Sequence, residues 1–264
     1  MNIKKHIPNA ITCGNLLCGC LAIVKAFEGD LVWAAYLVGI AAVLDFFDGF
    51  AARMLKVSSP IGKDLDSLAD MVTFGVVPGF VMFQLIKMTI PLHNFEGCVG
   101  CEFPGHYTPV STLENCLPYI AFLIPIFSAI RLAVFNNDTR QSESFIGMPT
   151  PANAIVICSL PLIIEYSSGM DGSIYTSSGS VIINQYWVLI PLTIINSFLL
   201  NATLPLFALK FKHFKWTGNE IRFVFLGLSL VMLITLQFIG VPLIIIMYIL
   251  LSVINNLMTK KKTA

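Results

Sequence analysis

Charged side chains are scarce in this sequence. Lys, Arg, Asp and Glu make up 12% of its 264 residues, about half the share of ~25% found in soluble globular domains. Hydrophobic residues make up 56%, and the mean hydropathy is +0.80. A water-soluble domain is excluded, and an integral membrane protein is implied. The net charge of +1 supplies no electrostatic footprint for a polyanion, so no nucleic-acid partner is expected. No shift in composition marks off a soluble unit; the longest polar interval is 92–116. Residues 1–264 therefore read as a single transmembrane domain.

Other absences narrow the reading. The intervals 92–116 and 168–183 contain no Lys or Arg, which places them on the outer side of the bilayer by the positive-inside rule. Lys4, Lys5, Arg53, Lys56, Lys63, Arg131, Arg140, Lys210, Lys212, Lys215, Arg222 and Lys260 to Lys262 fall on the opposite, cytoplasmic side, with both termini. Lys25 and Lys87 sit near outer span ends. No small-x-small pattern ends the first apolar segment, so it is expected to be a retained helix rather than a signal peptide. Lys260 to Lys262 read as an anchor at an anionic leaflet, and Trp216 as an interfacial anchor.

The outer interval carries Cys98, Cys101 and Cys116 with His93 and His106, yet no second C-x-x-C accompanies the first. A zinc site is thus weakly supported, and a disulfide on an oxidising side is the stronger expectation. Cys13, Cys18, Cys20 and Cys158 lie in apolar runs, where a free thiol is expected to act as a small buried hydrophobe.

Apolar runs recur along the chain at about 10–28, 32–54, 65–90, 117–136, 151–167, 184–204, 222–239 and 241–258. A helix needs roughly 20 apolar residues to cross a hydrocarbon core about 30 Å thick. The fold class expected is an all-α polytopic bundle of about eight transmembrane helices, with 222–258 as a C-terminal helical hairpin. Gly75 and Gly79 form G-x-x-x-G in the third run, a spacing that lets helices approach closely, within one subunit or across a dimer.

The stretch DFFDGFAARMLKVSSPIGKDLDSLAD, residues 45–70, breaks the apolar pattern with five carboxylates. Asp45 and Asp48 are three apart and Asp66 and Asp70 four apart, so each pair shares a helix face. Asp64 points elsewhere and is expected to be solvated. Between the pairs, Lys56 to Lys63 includes Ser58, Ser59, Pro60 and Gly62, which favour a turn. Two antiparallel helices would then present four acids to one another at the cytoplasmic boundary.

Four like charges at the edge of a low-dielectric medium are costly unless cations or protons neutralise them. All-oxygen donors suit Mg²⁺, Mn²⁺ or Ca²⁺, and four carboxylates suffice for two ions. The alternative is that the acids only cap helices at the interface. A further alternative is an ion path, which requires acids spread through membrane depth rather than gathered at one boundary. Gly49 and Ala52, one turn from the acids, leave room for a planar group, and Arg53 offers a fork for a phosphate oxygen. Metals, an Arg and a recess together suit a diphosphate.

The full pattern Asp45-x2-Asp48-Gly49-x2-Ala52-Arg53-x8-Gly62-x3-Asp66-x3-Asp70 resembles the signature of the CDP-alcohol phosphotransferases. IPNAITCGNLLCGCLAIV, SSPIGKDLDSLADMVTFGVVPG, IRLAVFN and FIGMPTPANA are similar to the serine-accepting members of bacterial and archaeal type. One departure is Val134, where many such members have a second Arg.

The resemblance implies a membrane enzyme with a six-helix core that moves a phosphatidyl group from CDP-diacylglycerol to L-serine and releases CMP. It implies that Asp45, Asp48, Asp66 and Asp70 hold two divalent ions, Mg²⁺ or Mn²⁺, with Asp70 also the general base. Gly49 and Ala52 would meet the cytidine and Arg53 the diphosphate, with Gly62 completing the substrate-binding set. Arg131 would meet an anionic group, the serine carboxylate or a lipid phosphate, unless it is only a snorkelling anchor. Asn9, Thr12 and Asn15 are placed along the cavity, and Asn136, Pro149 and Pro151 at the inner loop. A homodimer in a bacterial or archaeal cytoplasmic membrane is implied as well. Glycerol 3-phosphate or inositol phosphate is the alternative acceptor, for which a denser basic cluster would be expected.

Overall fold

The computed structural model describes residues 6–57, 59–90, 112–137, 145–169, 185–202, 205–206 and 219–263. Cys98, Cys101, His93, His106, Arg140, Trp216 and the basic residues from Lys210 to Lys215 lie outside them. So does any disulfide or zinc site in the outer loop; Cys116, which is described, carries a free thiol.

Among the described residues the chain is helical almost throughout. Its helices are α1 (His6–Phe27), α2 (Leu31–Leu55), α3 (Pro60–Thr89), α4 (Glu114–Asn137), α5 (Thr150–Gly169), α6 (Tyr186–Asn201), α7 (Glu220–Leu236) and α8 (Gly240–Thr263). Five stretches are long and apolar enough to cross a membrane: α1, α2, α3, α4 and the run Glu220–Ile254 that contains α7 and most of α8. The apolar parts of α5 and α6 are shorter, Thr150–Tyr166 and Tyr186–Asn201. The all-α polytopic architecture is as expected from hydropathy.

Burial follows the logic of a lipid solvent. In α1 the buried residues are Pro8, Thr12, Asn15, Gly19, Ala22 and Ala26, spaced alternately by four and three, while Leu17, Leu21 and Val24 face outward. Lipid is as apolar as leucine, so helices gain by close packing of small residues rather than by hiding large ones. The inner faces of α2 (Ala34, Ala35, Val38 and Ala41) continue this small-residue seam. Cys158 is buried as anticipated, but Cys13 and Cys20 stand on the exposed face of α1, because that face carries the large apolar residues.

Of the five spanning stretches, α3 is the most enclosed. Gly19 of α1 lies so close to Thr73 that an added Cβ would fall 2.4 Å from its hydroxyl. A Cβ on Gly75 would meet Ser128 at 3.2 Å, and one on Gly79 would meet Pro125 at 2.8 Å. The G-x-x-x-G pair therefore seats α4 within the same chain. The segment Met71–Val76 is π-helical, a widened turn often found at functional sites, and it begins directly after Asp70.

One detail differs from the sequence expectation. The turn after α2 is shorter than Lys56 to Lys63, because α3 starts at Pro60. Ser59 caps it by accepting from the Gly62 N–H at 3.0 Å, and proline fits the first helical position since its missing N–H would have no partner there. Lys56 closes α2 in a left-handed conformation at φ 52°. The C-terminal pair folds back at Gln237, φ 48°, bringing Phe225 of α7 to 5.5 Å from Tyr248 of α8. Helices α7 and α8 thus fold back on each other, attached to the rest where α8 packs on α5.

Candidate active site

One end of the bundle collects the start of α1, the end of α2, the start of α3, the end of α4 and the start of α5. Cross-links fix this. Lys63 Nζ donates to the Asn136 carbonyl at 3.1 Å, Asn136 Nδ2 to Ser67 Oγ at 2.8 Å, and Arg131 Nε to the Met148 carbonyl at 3.3 Å. Met148 N–H in turn donates to Leu199 near the end of α6.

At this end Asp45, Asp48 and Asp66 each present a carboxylate oxygen, all within 4.8 Å of one another. Asp70 joins them through contact with Asp45. The helical spacings of three and four have done what they imply: two ridges of acids, one on each helix, face the same point. Asp64 is exposed and takes no part.

The first helix supplies the polar support. Thr12 donates to Asp48 Oδ2 at 2.7 Å while also bonding the Pro8 carbonyl at 3.1 Å. Asn15, fully buried, donates from Nδ2 to Asp70 Oδ1 at 3.4 Å, and its own Oδ1 has no hydrogen-bond partner. A buried orphan acceptor costs free energy, so this position is suited to a further donor or a cation. Three hard carboxylate donors, with Asp70 alongside, are a chemically apt nest for Mg²⁺ or Mn²⁺.

Beside the acids lies a cavity of about 250 Å³. Pro8, Asn9 and Thr12 of α1 form one wall, and Asp48, Gly49 and Ala52 of α2 a second. Ser59, Gly62, Lys63 and Asp66 close it from the α3 side. A side chain on Gly49 would meet nothing within 4 Å, so the glycine keeps space open rather than permitting helix contact. Arg53 is exposed and does not line this cavity. Arg131 is 5% exposed and lies 5.6 Å from the Phe135 ring. It is buried among helices instead of snorkelling to the surface.

The sequence alone does not single out Lys63 and Ser67 as site residues, nor the buried Asn153. Lys63 was used only for topology. Asn153, five residues beyond Met148, is fully buried with neither amide atom partnered; as the last residue of P-T-P-A-N it gives no local signal of that burial.

Comparison with known proteins gives this geometry a lineage. Residues 5–195 match the CDP-alcohol phosphatidyltransferase family model. The chain belongs to that family. The match runs through α1 to α5 and most of α6, and stops before the α7–α8 hairpin. Among similar curated proteins, the CDP-diacylglycerol–serine O-phosphatidyltransferase of Bacillus subtilis (strain 168) is 35% identical over 146 residues, covering 55% of this chain and 70% of the relative. Proteins of the same name follow from Helicobacter pylori (strain J99) and Mycobacterium leprae. The first is 34% identical over 152 residues, 57% of this chain and 54% of the relative; the second is 33% identical over 171 residues, 62% and 49%. The chain thus spans about half the length of these last two.

Proposed function

We propose that this membrane-embedded transferase moves a phosphatidyl group from CDP-diacylglycerol to L-serine, giving phosphatidylserine and CMP. The observation that carries the reading is the convergence of Asp45, Asp48 and Asp66 within 4.8 Å beside a recess lined by Gly49 and Ala52. Gathering of the acids at one end of the bundle speaks against an ion path, which needs acids along its length. The serine acceptor rests on the names of the relatives and on the sparse basic content around Arg131.

In this reading Asp45, Asp48, Asp66 and Asp70 hold two divalent ions, Mg²⁺ or Mn²⁺. When bound, such ions neutralise charge on the phosphoryl oxygens and the departing nucleotide. Thr12 fixes the rotamer of Asp48, and Asn15 fixes that of Asp70. Asp70 takes the proton from the serine hydroxyl as its oxygen bonds to phosphorus and the bond from phosphorus to CMP breaks. Gly49, Ala52 and Gly62 admit the nucleotide, and Arg53 turns to the diphosphate from outside the cavity. Arg131 receives the serine carboxylate.

The acids face the cytoplasm, from which serine enters, while the acyl chains stay in the bilayer. The chain works as one catalytic domain in a homodimer. Purified protein given CDP-diacylglycerol, Mn²⁺ and each acceptor in turn tests this. Mass spectrometry should find phosphatidylserine with serine and no lipid product with glycerol 3-phosphate or inositol phosphate; a phosphatidylglycerol phosphate product would overturn the acceptor assignment.

A further inference from the structure

Lys63 occupies a position that neither the family signature nor the reading of its neighbours assigns. It lines the cavity with Asp48 and Asp66, where Arg53 does not. Although Asp66 follows three residues later, one helical turn away, the Lys63 ammonium engages the Asn136 carbonyl at 3.1 Å. Among the described residues, the ion pair formed is the remote Lys25–Glu28.

The placement is enforced by a closed ring of hydrogen bonds. The Lys63 carbonyl accepts from Ser67 Oγ at 3.1 Å, Ser67 Oγ accepts from Asn136 Nδ2 at 2.8 Å, and the Asn136 carbonyl accepts from Lys63 Nζ. Ser67 lies between Asp66 and Asp70, so the ring ties the acid-bearing turn of α3 to the end of α4. An ammonium carries three donors, and the contact with Asn136 uses one.

A lysine near a helix C-terminus can serve only to cap its last carbonyls. Capping alone gives no reason for the side chain to line the recess that holds Gly49 and Ala52. A nucleotide diphosphate entering beside four acids needs positive charge on its side away from them, and a cation already paired with Asp66 could not supply it.

We propose that Lys63 is a substrate-binding residue that contacts the diphosphate oxygens of the CDP moiety, with Asn136 and Ser67 as the positioning residues that hold it off the acids. The proposal rests on the reading of the cavity as the CDP site.

Its test uses the purified full chain with Mn²⁺ and CDP as the probe, followed by calorimetry. Loss of one charge-assisted contact predicts CDP binding weakened about tenfold in Lys63→Gln, and by no more than about threefold in Lys63→Arg. Affinity for cytidine, which lacks the phosphates, should not change. In the unmodified protein, CDP with Mn²⁺ should protect Lys63 from amine acylation, mapped by mass spectrometry, while exposed Lys87 labels equally with and without nucleotide. This arm needs no variant to fold. Wild-type affinity in Lys63→Gln, or unchanged acylation of Lys63, would overturn the proposal and leave the lysine as a helix cap. Failure of the wild type to bind CDP at all would strike the reading of the cavity itself, a different result from a variant-specific null.

Discussion

Thr12 and Asp48, 36 residues apart, meet through a hydrogen bond of 2.7 Å in the interior of the bundle. Asp48 is 6% exposed, so the hydroxyl of the first helix holds a carboxylate that water barely reaches. Deleting the donor leaves a buried acceptor short of a partner, which costs roughly 1–3 kcal/mol. Thr12→Val should lower the thermal midpoint and reduce CMP release, while Thr12→Ser, which keeps the hydroxyl, should restore most of both. Wild-type behaviour of Thr12→Val together with a loss in Thr12→Ser would show that the methyl group, not the hydrogen bond, matters.

Asp70 and Asp64 make a matched pair for mutagenesis. Removing a general base costs about 10²- to 10⁴-fold in rate, so Asp70→Asn should lose nearly all CMP release. The exposed Asp64, changed to Asn, should leave the rate within about twofold, since surface substitutions away from such features have small effects. Initial-rate measurements on both proteins in the same detergent decide the assignment.

Two glycines separate folding from function. Gly19→Ala places a Cβ 2.4 Å from Thr73 Oγ1 and 3.1 Å from its Cα, an overpacking expected to cost about 1–3 kcal/mol. Gly49→Ala meets nothing within 4 Å but intrudes on the cavity it lines. The first variant should melt earlier. The second should melt like the wild type and bind CDP more weakly, as read by calorimetry.

Chelation should have a structural as well as a catalytic signature. Four carboxylates brought together gain stability from a bound cation in proportion to its affinity for the folded state. EDTA should abolish CMP release, and Mn²⁺ or Mg²⁺ should restore it. The same ions should raise the thermal midpoint of the wild type and not that of the double variant Asp45→Asn with Asp66→Asn. A midpoint indifferent to metal in the wild type would refute the nest.

The acids were legible because helical geometry is periodic: i,i+3 and i,i+4 spacing puts Asp45 with Asp48 and Asp66 with Asp70 whatever the rest of the fold does. The helices were legible because apolar runs of spanning length have few other uses. Residues 60–63 read as turn, since Pro60 breaks a helix interior but suits a helix start. Tertiary pairings were beyond reach. Nothing local in Lys63 points to Asn136, 73 residues away, and nothing in Asn153 announces that its amide will be sealed without a partner. Gly75 and Gly79 fitted an intrachain contact and a dimer seam equally until Pro125 and Ser128 were found against them.

The π-helical turn Met71–Val76 gives α3 two angular phases. An α-helix advances about 100° per residue, and a widened turn absorbs an extra residue without breaking the rod. Upstream, the phase aims Asp66 and Asp70 at the metal nest; from the end of the turn onward, it aims Gly75 and Gly79 at α4. Excising a single residue from this turn would let the helix run on regularly, yet it would swing one of those two faces a quarter-turn or more away from its target.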